Sequence, residues 1–396
     1  VKGLIVSANA LLDNLPLRHK FLLDWLSPLG ITGTDSSGLG TLISTLMYLS
    51  FIFFIFFGQK IQLYTMIWNM SGALKKLEFM KNEAKALTIK TLIEIGKPKV
   101  DPIPRISALL EAFFITPVDM DPAGIVWKLD HLMDVRDNKF KDDVKRLAPE
   151  ADNAQVNNLE NLVEGSLALN TIYRIVRHFY LLGKKTQSFF LILQLQMILP
   201  LVMQEAEALV GATKAFAQGQ PIGDGLGPLV ASKLMKDKEK RKVEKDVVVS
   251  EFAMDGRNII ALKAEGPGGN VGKPGDAIKQ LIKEREGKVD MVIMIDAAVK
   301  FEGEKTGGIS EGTGAAIGGI GTERFKIEEE ASKNKIPVYA IIVKESLQEA
   351  IMPMKKEIAE SADNVITKIK GLIQEQTKEG QTIIVAGIGN TIGVGQ

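Results

Sequence analysis

The chain has 396 residues, with 49 basic and 48 acidic side chains, no cysteine, three histidines, 37 glycines and 45% hydrophobic residues. That length gives two or three domains and ample apolar material for packed cores. A net charge near +1 removes the case for a nucleic-acid-binding surface, and the absence of cysteine excludes disulfides, thiolate nucleophiles and common structural zinc sites.

From Ser36 to Gln59 the chain runs 24 residues without a charge, and Leu39 to Phe57 is dominated by Leu, Ile, Met and Phe. At ~1.5 Å per helical residue, ~20 such residues cross a ~30 Å hydrocarbon layer, so residues 39–69 are read as a transmembrane helix and its extension. Tyr64 and Trp68 follow where an interfacial aromatic belt is expected. Lys60, Lys75, Lys76, Lys81 and further lysines follow the span, against Lys2, Arg18 and Lys20 before it. This asymmetry puts residues 1–38 in an extracytoplasmic or interfacial segment and the large C-terminal part in the cytoplasm, in a single-pass protein of the cell membrane. The apolar window from Thr186 to Gln204 is interrupted by Gln194, Gln196 and Pro200, which fits a buried bundle helix better than a second crossing.

Residues 70–245 read as a helical domain with a charged linker. Asp121-Pro122 supplies an N-cap and first-turn proline, and Asp152 with Gln155 forms the pattern of a capping box. His131 and His178 lack a second histidine at i+3 or i+4 and read as ordinary helix residues. The loop 219–228 reads as a chain reversal, and the run 233–246 as an exposed charged helix or linker.

Residues 246–396 change character. Strands are expected at 247–254, 258–263, 289–296, 337–343 and 382–386, with helices at 276–286, 323–333 and 347–376, the last broken at Pro353. The fold class is therefore membrane-anchored α plus α/β: a transmembrane helix, a helical bundle and a C-terminal α/β domain with a mostly parallel sheet.

Of the 37 glycines, 21 lie after residue 255, gathered in loops 266–275, 303–321 and 387–395. Each follows a strand, so parallel strands bring the loops to one edge, where backbone N–H groups can approach an anion. The ligand candidates are Gly266, Gly268, Gly269, Asn270, Gly272 and Lys273 in the first loop, and Gly387, Gly389, Asn390 and Thr391 in the last. The Walker and dinucleotide patterns both fail: Pro267 occupies the first Walker glycine position and Pro274 its Ser/Thr position, and Val271 takes the last glycine of the fingerprint. Asp296 at a strand end, with Glu302 and Glu304, offers oxygen ligands for a hard cation, or acid and base groups. The cofactors this pattern admits are a divalent cation or a nucleotide.

The chain, from the Phe-rich anchor through Asp121-Pro122-Ala123-Gly124, the loop 219–228 and the acidic glycine loop 296–321, resembles an archaeal family of membrane proteins known as a domain of unknown function. The resemblance implies an archaeal membrane protein and brings no activity. Locally, Gly387-Ile388-Gly389-Asn390-Thr391 and the strand Asp290 to Ala297 are similar to motifs of hydrogenase-maturation endopeptidases and the phosphorylase/hydrolase-like fold, in which the acid matched by Asp296 is a metal ligand. Here the two motifs occur in reversed order, no acid follows Asn390 at the usual place, and a histidine ligand is missing.

The functional expectation is a membrane-anchored homo-oligomeric scaffold or sensor whose α/β domain binds an anionic ligand, with the bilayer and further copies of itself as partners and no nucleic acid. The alternative is a metal- or nucleotide-dependent hydrolase at the glycine loops. A channel component is a third reading, which a span without charged residues supports little.

Overall fold

The structure is a computed structural model and describes residues 38–112, 124–319 and 321–396. The leading segment 1–37, with His19, and the Asp121-Pro122 helix start lie outside the described residues.

The described residues fall into two compact units, one with residues 38–70 and 180–194, the other drawn from 71–179 and 195–396. In the first, the apolar run forms part of a continuous helix α1 (Gly38–Gly96). Leu42, Phe51, Phe54 and Phe56 are exposed along it, whereas Leu63, Met66 and Met70 are buried at helical spacing. The expected anchor and stalk are thus one helix. Among the described residues two helices are long and apolar enough to span a membrane, α1 and a later one beginning at Phe189.

In the second unit α2 (Ile103–Leu109), α3 (Ile125–Leu147) and the parts of α4 (Asn153–Thr186) and α5 (Phe189–Gln218) outside residues 180–194 close on one core with the end of α1. Leu92, Ile106, Val144, Leu159, Leu162 and Phe216 fill it. Asp152 and Gln155 exchange both capping bonds, at 2.8 and 2.9 Å, and so define the start of α4.

A 3-10 turn, Gly223–Gly225, leads into α6 (Leu226–Leu234) and then the sheet: β1 (Arg241–Glu244), β2 (Val247–Met254), β3 (Arg257–Ala264), α7 (Pro274–Glu284), β4 (Met291–Val299), β5 (Gly308–Thr313), α8 (Thr322–Asn334), β6 (Val338–Glu345), α9 (Leu347–Ile351), α10 (Lys356–Gln376) and β7 (Thr382–Gly387). The strand order is β1-β2-β3-β7-β4-β6-β5. The four central strands are parallel and β1, β2 and β5 pair antiparallel, so the sheet is mixed rather than mostly parallel.

Two strands escape the sequence pattern. β1 lies in the charged run read as a helix or linker; its Arg241 bridges Glu251 and Glu284 at 3.1 and 2.7 Å while Val243 packs on the core. A charged edge strand discourages pairing with other chains, which is why it reads as a solvated segment. β5 lies in the loop 303–321 and offers only Ile309 to the interior.

Apolar residues alternate along the central strands. Val292 and Met294 face α7 and α8, through Ile278, Leu281 and Ile327. Ile293, Ile295, Ile341 and Val343 face α6 and α10, through Val230, Ile358 and Val365. Connections leaving β4 and β6 therefore go to opposite faces, the arrangement that opens a crevice at strand carboxyl ends. α6 is seated very close: a Cβ on Gly227 would lie 2.2 Å from the Ile388 carbonyl and 2.5 Å from that of Ile295. Gly227→Ala is accordingly expected to cost about 3 kcal/mol in denaturant unfolding, since backbone atoms must move to admit the methyl; a loss near zero would show that α6 can slide away.

Helix α3 is fastened to the α/β half by Lys326 of α8, which is 1% exposed. Its ammonium meets Asp130 of α3, Asp276 of α7 and Glu323 at 3.0, 2.7 and 2.8 Å. Burial alone would lower its pKa, but the three hydrogen-bonded carboxylates outweigh burial and raise it.

Candidate functional site

The first and last glycine loops do meet at one edge, but they meet each other. Gly266 has no room for a side chain, since its Cβ would lie 1.9 Å from the Val394 carbonyl, and one on Gly268 would lie 2.7 Å from Ala154 of α4. The Gly269 N–H donates to Asn158 at 2.8 Å and its carbonyl accepts from Asn161 at 2.6 Å. The Thr391 hydroxyl is fully buried, 2.7 and 3.0 Å from the carbonyls of Gly268 and Asn270, and the Asn270 N–H approaches it at 3.3 Å. Asn390 bonds Asn161 and the Ile392 N–H. Gly387 and Gly389 press on α6 and the turn, with added Cβ atoms 2.2 Å from Gly227 and 1.9 Å from Asp224 carbonyls. These glycines thus permit close packing of backbone on backbone.

Lys273 and Gly272 fare similarly. Lys273 pairs with Asp134 of α3 at 2.5 Å, and Gly272 turns with φ +58° against Val247. The amino terminus of α7, where an anion would bind, already receives a carboxylate: the Gly275 N–H donates to Glu323 at 2.7 Å. Lys273 borders a cavity of about 540 Å³ with Asp134, Glu244, Asp276 and Lys279, in which both charge signs alternate.

Asp296 is not joined by Glu302 and Glu304. Glu304 accepts from the Phe301 N–H at 2.9 Å and pairs with Lys344, and Glu302 is exposed. Among the described residues no group of three or more acidic or histidine side chains is arranged to hold a metal ion.

Other carboxylates gather around Asp296 instead. Its own group is buried, 7% exposed, and accepts the N–H of Ala297 at 2.8 Å and that of Gly318. Burial, and then the charge of Asp224, push its pKa up to about 8. Glu345, at the end of β6, is 2% exposed, and neither carboxylate oxygen has a hydrogen-bond partner among the described residues. Its Oε2 would lie 2.5 Å from a Cβ on Gly223, so the group abuts the 223–225 turn. Burial, then the charges of Asp224 and Glu349, raise it to about 8. Asp224, half-buried in that turn, accepts the Asn390 N–H at 2.7 Å; burial raises its pKa and this bond offsets part of the rise.

Glu349 shows the opposite state. Burial would raise it, but Lys355 at 2.7 Å, the Ser346 N–H at 2.8 Å and the Thr306 hydroxyl at 2.9 Å hold it at about 2. The contrast isolates Asp224, Asp296 and Glu345 as carboxylates that have no bonded cationic side chain among the described residues, at the crevice between β4 and β6. Such a group can take up protons near neutral pH. Lys263, fully buried at the end of β3, donates to the Ala264 carbonyl at 3.0 Å and is lowered by burial to about 8.

Of this cluster the sequence indicated only Asp296. Asp224 was a loop acid, and Glu345 followed an apolar strand, Val338 to Val343, as Asp296 follows its own; an acid closing a buried strand was the available signal for both.

A long apolar helix, a helical core and a mixed seven-stranded sheet covered on both faces define a two-part helical and α/β protein. The chain belongs to the DUF1512 family. Residues 44–219 match its N-terminal domain, a protein of unknown function, and residues 222–395 match its C-terminal domain, a domain of unknown function. No curated protein matches the chain, and no solved structure does.

Proposed function

We propose that this is a membrane-anchored, homo-oligomeric protein of the scaffold or sensor kind, crossing the cell membrane once through α1 and carrying its α/β domain in the cytoplasm. The observation that carries the reading is the uncharged segment 42–57 of α1, whose large apolar side chains are exposed from Leu42 to Phe57. Water would not tolerate that surface, and hydrocarbon would. The lysines from Lys60 onward support the cytoplasmic assignment, and the resemblance to an archaeal membrane family supports an archaeal source. The responsive element is the cluster of Asp224, Asp296 and Glu345. It takes the place of the anionic-ligand site first expected, because the N–H groups of Gly269, Asn270 and Gly275 already have partners.

Native mass spectrometry of the protein extracted in mild detergent tests this. The expected spectrum shows a defined oligomer with no retained nucleotide; monomers alone would sink the scaffold. A hydrolase is the second reading, favoured by the raised pKa of Asp296, which suits a general acid or base. It requires a retained nucleotide or metal whose binding Asp296→Asn abolishes while the fold persists.

A further inference from the structure

The first half of α5 does not behave as the buried bundle helix that its sequence suggests. Ile192 and Leu195 are buried, but Phe190, Met197, Ile198 and Leu201 are exposed and follow one another at helical spacing. The stripe lies within the uncharged window 186–204. Whether it crosses the membrane is decided by the helix before it.

α4 and α5 form a hairpin with its tip at Gln187 and Ser188: Gln187 has φ +52°, the Ser188 N–H donates to the Gly183 carbonyl at 3.2 Å, and a Cβ on Gly183 would lie 2.5 Å from Ile192. Away from the tip both legs enter one core, α4 through Leu159 and Leu162, α5 through Ala212 and Phe216. Both legs therefore start on one side of any bilayer, and α5 can cross only if α4 crosses with it. The last turns of α4 carry Arg174, Arg177, Lys184 and Lys185. Each charge costs roughly 3 kcal/mol at the bilayer centre, so that leg stays out.

We infer that the α4–α5 tip lies in the surface of an anionic bilayer without crossing it, on the same side as the C-terminal domain, with Phe190, Ile198 and Leu201 among the acyl chains and Lys184 and Lys185 at the headgroups. Three observations favour lipid as the occupant. Residues 180–194 belong to the same compact unit as the proposed anchor. Lys184 and Lys185 are exposed beside the uncharged stripe, the charge pairing that anionic headgroups satisfy. The stripe from Phe190 to Leu201 spans ~18 Å of helix, too short to cross and long enough to lie in the interface. The inference rests on α1 as the anchor, and its test reads the two separately.

The chain lacks cysteine, so single-cysteine variants of the full protein report one site each. Ile52→Cys, Ser188→Cys, Ile198→Cys and Lys378→Cys are reconstituted in phosphatidylcholine vesicles with and without phosphatidylglycerol. With an impermeant maleimide, positions 188 and 378 are expected to react to the same fraction in intact vesicles. A polarity-sensitive fluorophore at 198 is expected to shift to the blue in vesicles containing phosphatidylglycerol and to be quenched by shallow nitroxide lipids; at 52, deep ones quench. Reaction at 188 only where 378 is protected would mean a crossing hairpin and overturn the inference. An emission at 198 indifferent to lipid would overturn it as well, including the case in which a second copy covers the stripe and the probe is equally shielded in detergent. Loss of deep quenching at 52 would instead retire the anchor, whatever 198 reports.

Discussion

Glu345→Gln is expected to stabilise the protein, and to do so more at about pH 9 than at about pH 6. The reason is the sign of its pKa shift. Glu345 titrates near 8 in the folded chain, above its ordinary value of 4.5. Between those values the folded state holds a proton that the unfolded state has released, so stability falls as pH rises through the window and levels off above the folded pKa. Glutamine keeps the shape and removes the charge. The gain over the native protein is expected to grow by about 2 kcal/mol across that pH interval, read from denaturant melts in detergent. Asp296→Asn acts in the same direction, and the double variant gains less than the sum because the two carboxylates repel each other. A Glu345→Gln variant that is less stable than native protein at both pH values would mean that its carboxylate has a favourable partner, and the sensor element would have to be sought elsewhere.

The second large effect concerns Lys326. Lys326→Ala leaves Asp130, Asp276 and Glu323 facing one another where an ammonium had bonded all three. Losing one side of a buried ion pair costs about 3–5 kcal/mol, because the remaining charges stay desolvated. Urea unfolding should show a loss of that size, with partial recovery when Asp276→Asn is added, since each neutralised acid removes part of the repulsion. A loss under about 1 kcal/mol would show that water reaches the cluster once the lysine is gone.

How much of this was readable beforehand follows from where apolar residues fall. The long apolar helix was plain because 24 consecutive residues lack a charge, and the central strands were plain because each carries a dense apolar run such as Met291 to Ile295. Boundaries moved by a residue or two: the strand read as 258–263 is Arg257–Ala264, and the helix read through Pro353 is two pieces, Leu347–Ile351 and Lys356–Gln376. The edge strands were hidden because an edge buries little; Arg241–Glu244 is charged and Gly308–Thr313 rich in glycine. The glycine loops misled in an instructive way. Glycine signals close approach, but a sequence does not say of what, and here the approaching groups are carbonyls of Val394, Gly227 and Asp224. Glu345 and Asp224 were unreadable as neighbours, because only the return of the chain through β6 and the turn before α6 brings them together.

Ile392 is fully buried and contributes to the helical core, while Ile388, four residues earlier, contributes to the core beneath the sheet. Ile222 joins the helical core from the opposite end of the same half. A cut between Gln218 and Ile222, where the two matched domains divide, would therefore strip Ile222 and Ile392 of their surroundings in the helical core and take Asn161 away from Asn390. The division between the two matched domains is therefore no seam in stability, and the helical and sheet halves should melt as one cooperative body rather than in two steps.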